Sequence, residues 1–343
     1  MTRDATHQAW LDQVIEPVID PSRAIVDPHH HLWRVPGSPR WGTYDLDDLF
    51  ADTGSGHRIE QTVFIDCTSD YRTDGPEEMR PLGETEYVAA MAEESARRPD
   101  ATTRIGGIVG HADLLLGARV ADVLAAHLEV GKGYFRGIRH AASWDPSEEI
   151  HNGHHNPPRE MLLSEQFRAG FAELAPMGLT FEAWLYHPQI PELTDLARAF
   201  PDTGIILNHV GGHVGIGPYA GKRDELLAGW RRDMAELATC TNVSVKLGGL
   251  AMPINGYDWH KRERPASSDE VVAAHRDIYL HCIDLFGPDR CMFESNFPVD
   301  RLSVSYAVLW NAFKKIAAGF SEDEQERLFR GTAMRVYDLD EID

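Results

Sequence analysis

The chain is poor in cysteine: Cys67, Cys240, Cys282 and Cys291 are the only four in 343 residues, and no two form a C-x-x-C pair. That spacing excludes a disulfide framework and a structural zinc knuckle; Cys67 and Cys291 lie in apolar runs that suit buried, reduced thiols. Basic residues are scarce as well, with 33 Lys and Arg against 54 Asp and Glu and a formal net charge of -21. Phosphate backbones are bound through an excess of Lys and Arg, so no nucleic-acid partner is expected. No run of ~18 apolar residues offers a membrane span, and the opening MTRDATHQAW carries no apolar export core. The expectation is a cytoplasmic protein with no membrane partner that acts on a small molecule. No G-x-G-x-x-G follows the first apolar run, which removes the main support for a dinucleotide-binding sheet. The sequence leaves the oligomeric state open; if the chain assembles, a homo-oligomer is the base-rate expectation.

What is present is a regular alternation. The 343 residues, 43% of them hydrophobic, suffice for one barrel-sized domain. Short β-rich runs fall at 25–29, 61–67, 104–109, 134–139, 179–186, 204–209, 242–247 and 290–295. Amphipathic stretches separate them at 85–98, 119–130, 160–174, 192–200, 223–238, 269–286 and 303–318, and a last helix is expected over 321–338. Eight strands alternating with helices predict an α/β fold, a (β/α)₈ barrel in a single domain spanning 1–343, with 1–24 as an extension wrapping the outside. Two connections stand out as active-site loops: 140–158, which follows a strand directly, and 248–265, rich in Gly, Pro and aromatic residues.

The chemistry-bearing residues sit at strand ends. In Asp27-Pro28-His29-His30-His31, strand alternation points His29 and His31 the same way and His30 the other. Two imidazoles on one face at a strand's C-terminal end make half of a zinc site. His209 closes the run Ile205-Ile206-Leu207-Asn208-His209 ahead of two glycines, where it can join that pair. In Met292-Phe293-Glu294-Ser295-Asn296, Glu294 and Asn296 share an inward face. Arg139 ends its strand, and its guanidinium suits a substrate carboxylate unless it pairs with a buried acid such as Glu182. Trp184 and Tyr186 alternate inward with Glu182. Lys246 either reaches the mouth or snorkels to solvent. Of the loop histidines His140, His151, His154 and His155, His140 is the candidate for substrate contact and the others read as solvated; His187 fixes a turn or approaches substrate.

Taken together, DPHHHLW, GIRH (137–140), LNHVGG (207–212), VKLGGL (245–250) and ESNFPVD (294–300) resemble, in order, the motifs of the amidohydrolase superfamily. The resemblance runs from Val26 to Tyr337 and is nearest to the lactonase-like branch, which includes fuconolactonases and the pyrone-dicarboxylate and sulfomuconolactone lactonases. It implies a metal-dependent hydrolase acting on a lactone or related ester, with a carboxylated or sugar-derived substrate. The metal set it implies is His29, His31 and His209; Glu294, where the family pattern has Gly, is a candidate further ligand on its strand-face position alone. Zn²⁺ suits three imidazoles and an oxygen, with Mn²⁺ as the alternative. Substrate contacts fall to Arg139, His140, Trp184, Tyr186 and Lys246.

One departure matters. Asn296 stands where the superfamily usually places an aspartate that takes a proton from water, and an amide cannot do so. The candidate catalytic set is therefore Glu294, His209 and Asn296, with Glu294 as the relocated general base or metal ligand and His209 as the base if no metal binds. Two other functions share the site: non-oxidative decarboxylation of an aromatic or enoic acid, and a binding protein that has lost catalysis.

Overall fold

In a computed structural model describing residues 5–34, 43–99 and 101–342, eight parallel strands pair in sequential order. They are β1 (Ala24–His30), β2 (Arg58–Ile65), β3 (Arg104–Gly110), β4 (Phe135–Arg139), β5 (Thr180–Ala183), β6 (Ile205–Leu207), β7 (Val243–Leu247) and β8 (Cys291–Phe293). A parallel bridge between His30 and Phe297 closes the ring, supported by His31 N–H donating to Phe297 O at 2.8 Å. The expected (β/α)₈ barrel is what forms. Residues 1–4 of the N-terminal segment lie outside the described residues. The rest of it runs along the outside, where Ile19 N–H donates to Asn311 Oδ1 and Trp10 Nε1 to Arg262 O.

The strands are buried on both faces, which is why they read as short continuous apolar runs. Inside, Val26, Val63, Ile65, Val109, Ile206 and Met292 pack together; outside, Ile25, Phe64, Ile138 and Phe181 meet the helical shell. Val26 and His29 differ in parity yet both face inward. A bulge explains this: three steps along β1, from Asp27 to His30, oppose two along β2, from Thr62 to Phe64. His30 then turns outward against Phe64, with ring centres 5.8 Å apart.

The tail departs from the expected single helix. It forms Glu322–Glu326, a π-turn over Arg327–Gly331, then Thr332–Val336. The wide turn shifts the helical phase. Phe329 thereby packs on Phe293 in the outer shell, while Met334, Tyr337 and Leu339 plug the barrel's interior floor. The sequence pattern also gave no sign of the helices Ala5–Leu11 and Leu46–Thr53; the second starts at a capping box between Asp45 and Asp48.

Loop 248–265 contains two single 3₁₀ turns, Pro253–Asn255 and Trp259–Lys261. It is pinned by His275, from the helix Ser268–Phe286, whose ring lies 4.9 Å from Tyr257 and 5.2 Å from Trp259. Burial lowers the His275 pKa to about 3. A histidine whose folded-state pKa is depressed contributes stability that is full above the unfolded value near 6.5 and is lost as pH falls toward 3. His275→Phe is therefore expected to flatten the loss of Tm between pH 6.5 and 4. An unchanged slope would show that this imidazole does not govern the acid limb.

Candidate active site

Strand ends and their loops converge on a cavity of about 440 Å³ at the C-terminal mouth of the barrel. His31, Arg139, His209 and Asn296 line it, with Trp33, Trp184, Met252, Val299 and the loop residue His154 on its walls.

β1 supplies the first two imidazoles. His31 Nδ1 lies 2.8 Å from Ile65 O. A carbonyl only accepts, so the proton is on Nδ1 and the Nε2 lone pair is left for the cavity. The His29 ring lies 5.0 Å from that of His31 and 4.6 Å from that of His209. His29 Nε2 is buried without a hydrogen-bond partner. Burial holds all three imidazoles well below the ordinary histidine range, so they stand neutral, as ligand or base chemistry needs.

His209 does not end a strand. β6 stops at Leu207, and His209 and Val210 adopt left-handed backbone at φ 52° and 50°. For a β-branched residue such as Val210 this is an outlier, costing on the order of 1–3 kcal/mol, and strain of this kind clusters at functional sites. The ring fits because positions 248 and 249 are glycine. A Cβ on Gly249 would stand 2.2 Å from His209 Nδ1, and one on Gly248 would stand 2.3 Å from Glu294 Cγ.

Glu294 lies beneath the rings, wholly buried. Its Oε1 is 2.6 Å from His209 Nδ1 and its Oε2 is 2.7 Å from His29 Nδ1. Burial pushes its pKa up to about 8, against the pull of the Lys246 ammonium. The carboxylate hydrogen-bonds the His209 ring, whereas His29 Nδ1 stands near Oε2 without hydrogen-bond geometry and 3.4 Å from Lys246 Nζ. The spacing of His29 to each of the other two rings suits a shared ion, since two imidazoles on one tetrahedral centre with metal–nitrogen bonds of ~2.0–2.1 Å put their centres about 5 Å apart. The ligand atoms that lie within 4.8 Å of one another are those of His29, His209 and Glu294. A carboxylate behind the ligand histidines is the usual device for fixing their orientation.

Lys246 neither snorkels nor reaches the mouth. It is fully buried, with Nζ 2.9 Å from Glu182 Oε2 and 3.4 Å from His29 Nδ1. Glu182 also accepts from Asn208 Nδ2 and from Tyr337 OH, so it belongs to the floor. Arg139 pairs with Asp66, not Glu182: its guanidinium donates to Asp66 O, and Nε lies 3.9 Å from Asp66 Oδ2.

The remaining expected contacts divide. β5 ends at Ala183, so alternation does not extend to Tyr186. Trp184 faces the cavity, its ring 4.9 Å from His209. Tyr186 instead packs with Ile150 and Val214 and donates to His151 O. His140 lines a neighbouring cavity with His111 and His155. His187 packs beside His213 and Tyr219, away from the site, with its pKa lowered to about 4 by burial. Asn296, at φ 55°, donates from its backbone to His29 O and from Nδ2 to Asp300 Oδ1, both at 3.0 Å, leaving Oδ1 as an acceptor.

Sequence reasoning missed Asp66 and His111. Each follows an apolar strand, β2 and β3, so the strand-end signal used elsewhere was present at both. It also took His154 and His155 as solvated, whereas their Nε2 atoms lie 2.9 and 3.3 Å from Asp66 Oδ2.

A (β/α)₈ barrel with its imidazoles gathered at the C-terminal mouth defines an enzyme of the barrel-hydrolase class. The chain belongs to the amidohydrolase family, whose model matches residues 26–339, and is a hydrolase. It is 34% identical over 332 residues to the uncharacterized protein y4mH of Sinorhizobium fredii, covering 92% of this chain and 98% of that one. It is 27% identical to an L-fucono-1,5-lactonase of Burkholderia multivorans, covering 92% and 96%. Among solved structures, an amidohydrolase from Burkholderia multivorans with bound zinc superposes at a TM-score of 0.71, with 23% identity over 92% of this chain and 100% of that one.

Breaking a buried ion pair by removing one partner costs about 3–5 kcal/mol, because the other charge is left uncompensated. Lys246→Met is expected to destabilise the fold by an amount in that range in urea unfolding. Lys246→Met combined with Glu182→Gln should recover part of it. A cost below about 1 kcal/mol for Lys246→Met would mean that the pair does not hold the floor.

Proposed function

We propose that the protein hydrolyses a lactone or related ester, with a divalent ion held by His29, His31 and His209. The observation that carries this reading is three buried, neutral imidazoles gathered beside Glu294, with His29 Nε2 left without a hydrogen-bond partner. Lys246 pairs with Glu182, and burial raises the pKa of Glu294 to about 8, so its carboxyl has no counter-ion of its own. A cation held by the rings would favour its ionised form. When bound, such an ion polarises a carbonyl oxygen and lowers the pKa of water. Zn²⁺ suits a nitrogen-rich set, and Mn²⁺ is the alternative.

The chain's own groups do the rest. Glu294 Oε1 accepts a hydrogen bond from His209 Nδ1 and keeps the ring proton on that nitrogen, so that the Nε2 lone pair is what a water or an ion meets. Asn296 Oδ1 accepts a hydrogen bond and positions its donor without taking the proton. Arg139, on the cavity wall, offers a cation to a carboxylate or a ring oxygen of the substrate. Trp33, Trp184, Met252 and Val299 supply flat apolar walls for a small ring and exclude water from it. The lactonase relative supports a lactone.

A panel of sugar lactones and carboxylated enol lactones, run with Zn²⁺, Mn²⁺ or chelator, tests the reading. Stoichiometric acid release that the chelator abolishes is expected. Loss of an orienting carboxylate behind a ligand histidine typically costs ~10–100-fold, so Glu294→Gln should lose activity on that scale. Full turnover of Glu294→Gln would remove Glu294 from the mechanism. Release of CO₂ without water incorporation would replace hydrolysis with decarboxylation.

A further inference from the structure

Beside the catalytic cavity, the ends of β2 and β3 and the loop 140–158 bring a second group of donors together. Asp66, His111 and His155 each present a ligand atom, all within 4.8 Å of one another. We propose that these three form a second divalent transition-metal site, with His154 at its edge, and that an ion there ties the loop down over the mouth.

The tautomers favour it. His111 Nδ1 lies 3.0 Å from Arg139 O, which can only accept, so the proton is on Nδ1 and Nε2 keeps its lone pair. A second-shell bond from a ring N–H to a backbone carbonyl is what orients metal-binding histidines. The Asp66 carboxylate is wholly buried and braced: Oδ1 accepts from Tyr71 OH at 2.9 Å. Its Oδ2 faces His154 Nε2 and His155 Nε2 at 2.9 and 3.3 Å, with Arg139 Nε at 3.9 Å behind it. The turn after Asp66 is fixed by Glu84, which accepts from Ser69 N at 2.7 Å and Cys67 N at 3.2 Å. His140 is not a ligand, because its Nδ1 accepts from Leu114 N at 3.3 Å and the proton therefore sits on Nε2. It backs His111 edge-on, with ring centres 5.0 Å apart.

The site has its own approach from solvent. A cavity of about 460 Å³ reaches His111 and His155 from the outside, and Glu77, Glu78 and Asp113 line it against the single cation of Arg80. That balance draws cations inward. Two imidazoles and one carboxylate select Zn²⁺, Mn²⁺ or Fe²⁺ over Mg²⁺ or Ca²⁺, which prefer all-oxygen sets.

Occupancy has a mechanical consequence. The His111 and His155 rings are stacked, with centres 3.5 Å apart and planes at 11°. Ligation of one ion requires them to fan apart to about 5 Å. His111 is held by Arg139 O, so the movement falls on His155 and carries the loop with it. No proton need be lost from a neutral ring: His155 shifts its proton from Nε2 to Nδ1.

The test uses the full chain stripped with chelator, loaded with Zn²⁺, desalted, and analysed for metal by atomic emission. It does not depend on activity. The catalytic centre proposed above and this site predict two Zn²⁺ per chain, one in His29→Ala/His31→Ala, and one in His154→Gln/His155→Gln. The second pair of changes lies on the loop, so folding is checked by an unchanged Tm of the metal-free protein. Cleavage within 140–158 by a nonspecific protease should slow at least several-fold with Zn²⁺ in His29→Ala/His31→Ala, and not in His154→Gln/His155→Gln. One Zn²⁺ in the unaltered chain and none in His29→Ala/His31→Ala would overturn the loop site while leaving the catalytic centre standing. One Zn²⁺ that is lost only in His154→Gln/His155→Gln would do the reverse. If His154→Gln/His155→Gln melts lower, His111→Gln is measured instead, and retention of both ions there overturns the proposal.

Discussion

Ionised groups can be buried inside a barrel only if each meets a partner of opposite charge or a full set of hydrogen bonds, and the floor of this barrel is built around that demand. Glu182 answers it with Lys246, Asn208 and Tyr337. Glu294 answers it by a raised pKa and by hydrogen bonds to the His209 ring and backbone N–H. Because the carboxyl takes His209 Nδ1, that ring's Nε2 is the nitrogen left for the cavity. The orientation and tautomer of His209 follow from one buried carboxyl group.

The backbone bends to suit that carboxylate. The bulge in β1 brings His29 inward beside Val26, and left-handed turns at His209 and Asn296 carry two more groups round to the same point. Gly248 and Gly249 leave the space that Glu294 and His209 fill. None of these features is the cheapest local conformation. Each is held by the surrounding barrel, whose strands and helices are regular elsewhere.

The barrel was legible in the sequence because its strands are short apolar runs buried on both faces, and their limits fall within a few residues of the expected ones. The His29 and His31 pair was legible for the same reason, since alternation places them together on one side. What alternation cannot show is where a strand stops being a strand. It carried Tyr186 inward past the end of β5 and missed the bulge that resets β1. Nor can it show which charge meets which: Lys246 and Glu182 lie on strands separated by β6, so their contact depends on barrel closure and register. Asp66 and His111 were a different failure. Their strand-end positions were visible, but neither belongs to a familiar motif, and the loop histidines that meet them are far away in the chain.

Tyr337 belongs to the last turns of the described chain, yet its hydroxyl reaches Glu182 in the barrel interior and its ring lies 5.4 Å from Lys246 Nζ. During synthesis on the ribosome, all eight strands emerge before this residue does. A barrel in which this tail is undocked lacks one of the hydrogen bonds to Glu182 and the ring beside Lys246, so the charge balance beneath the mouth depends on a segment packed at the opposite end of the barrel.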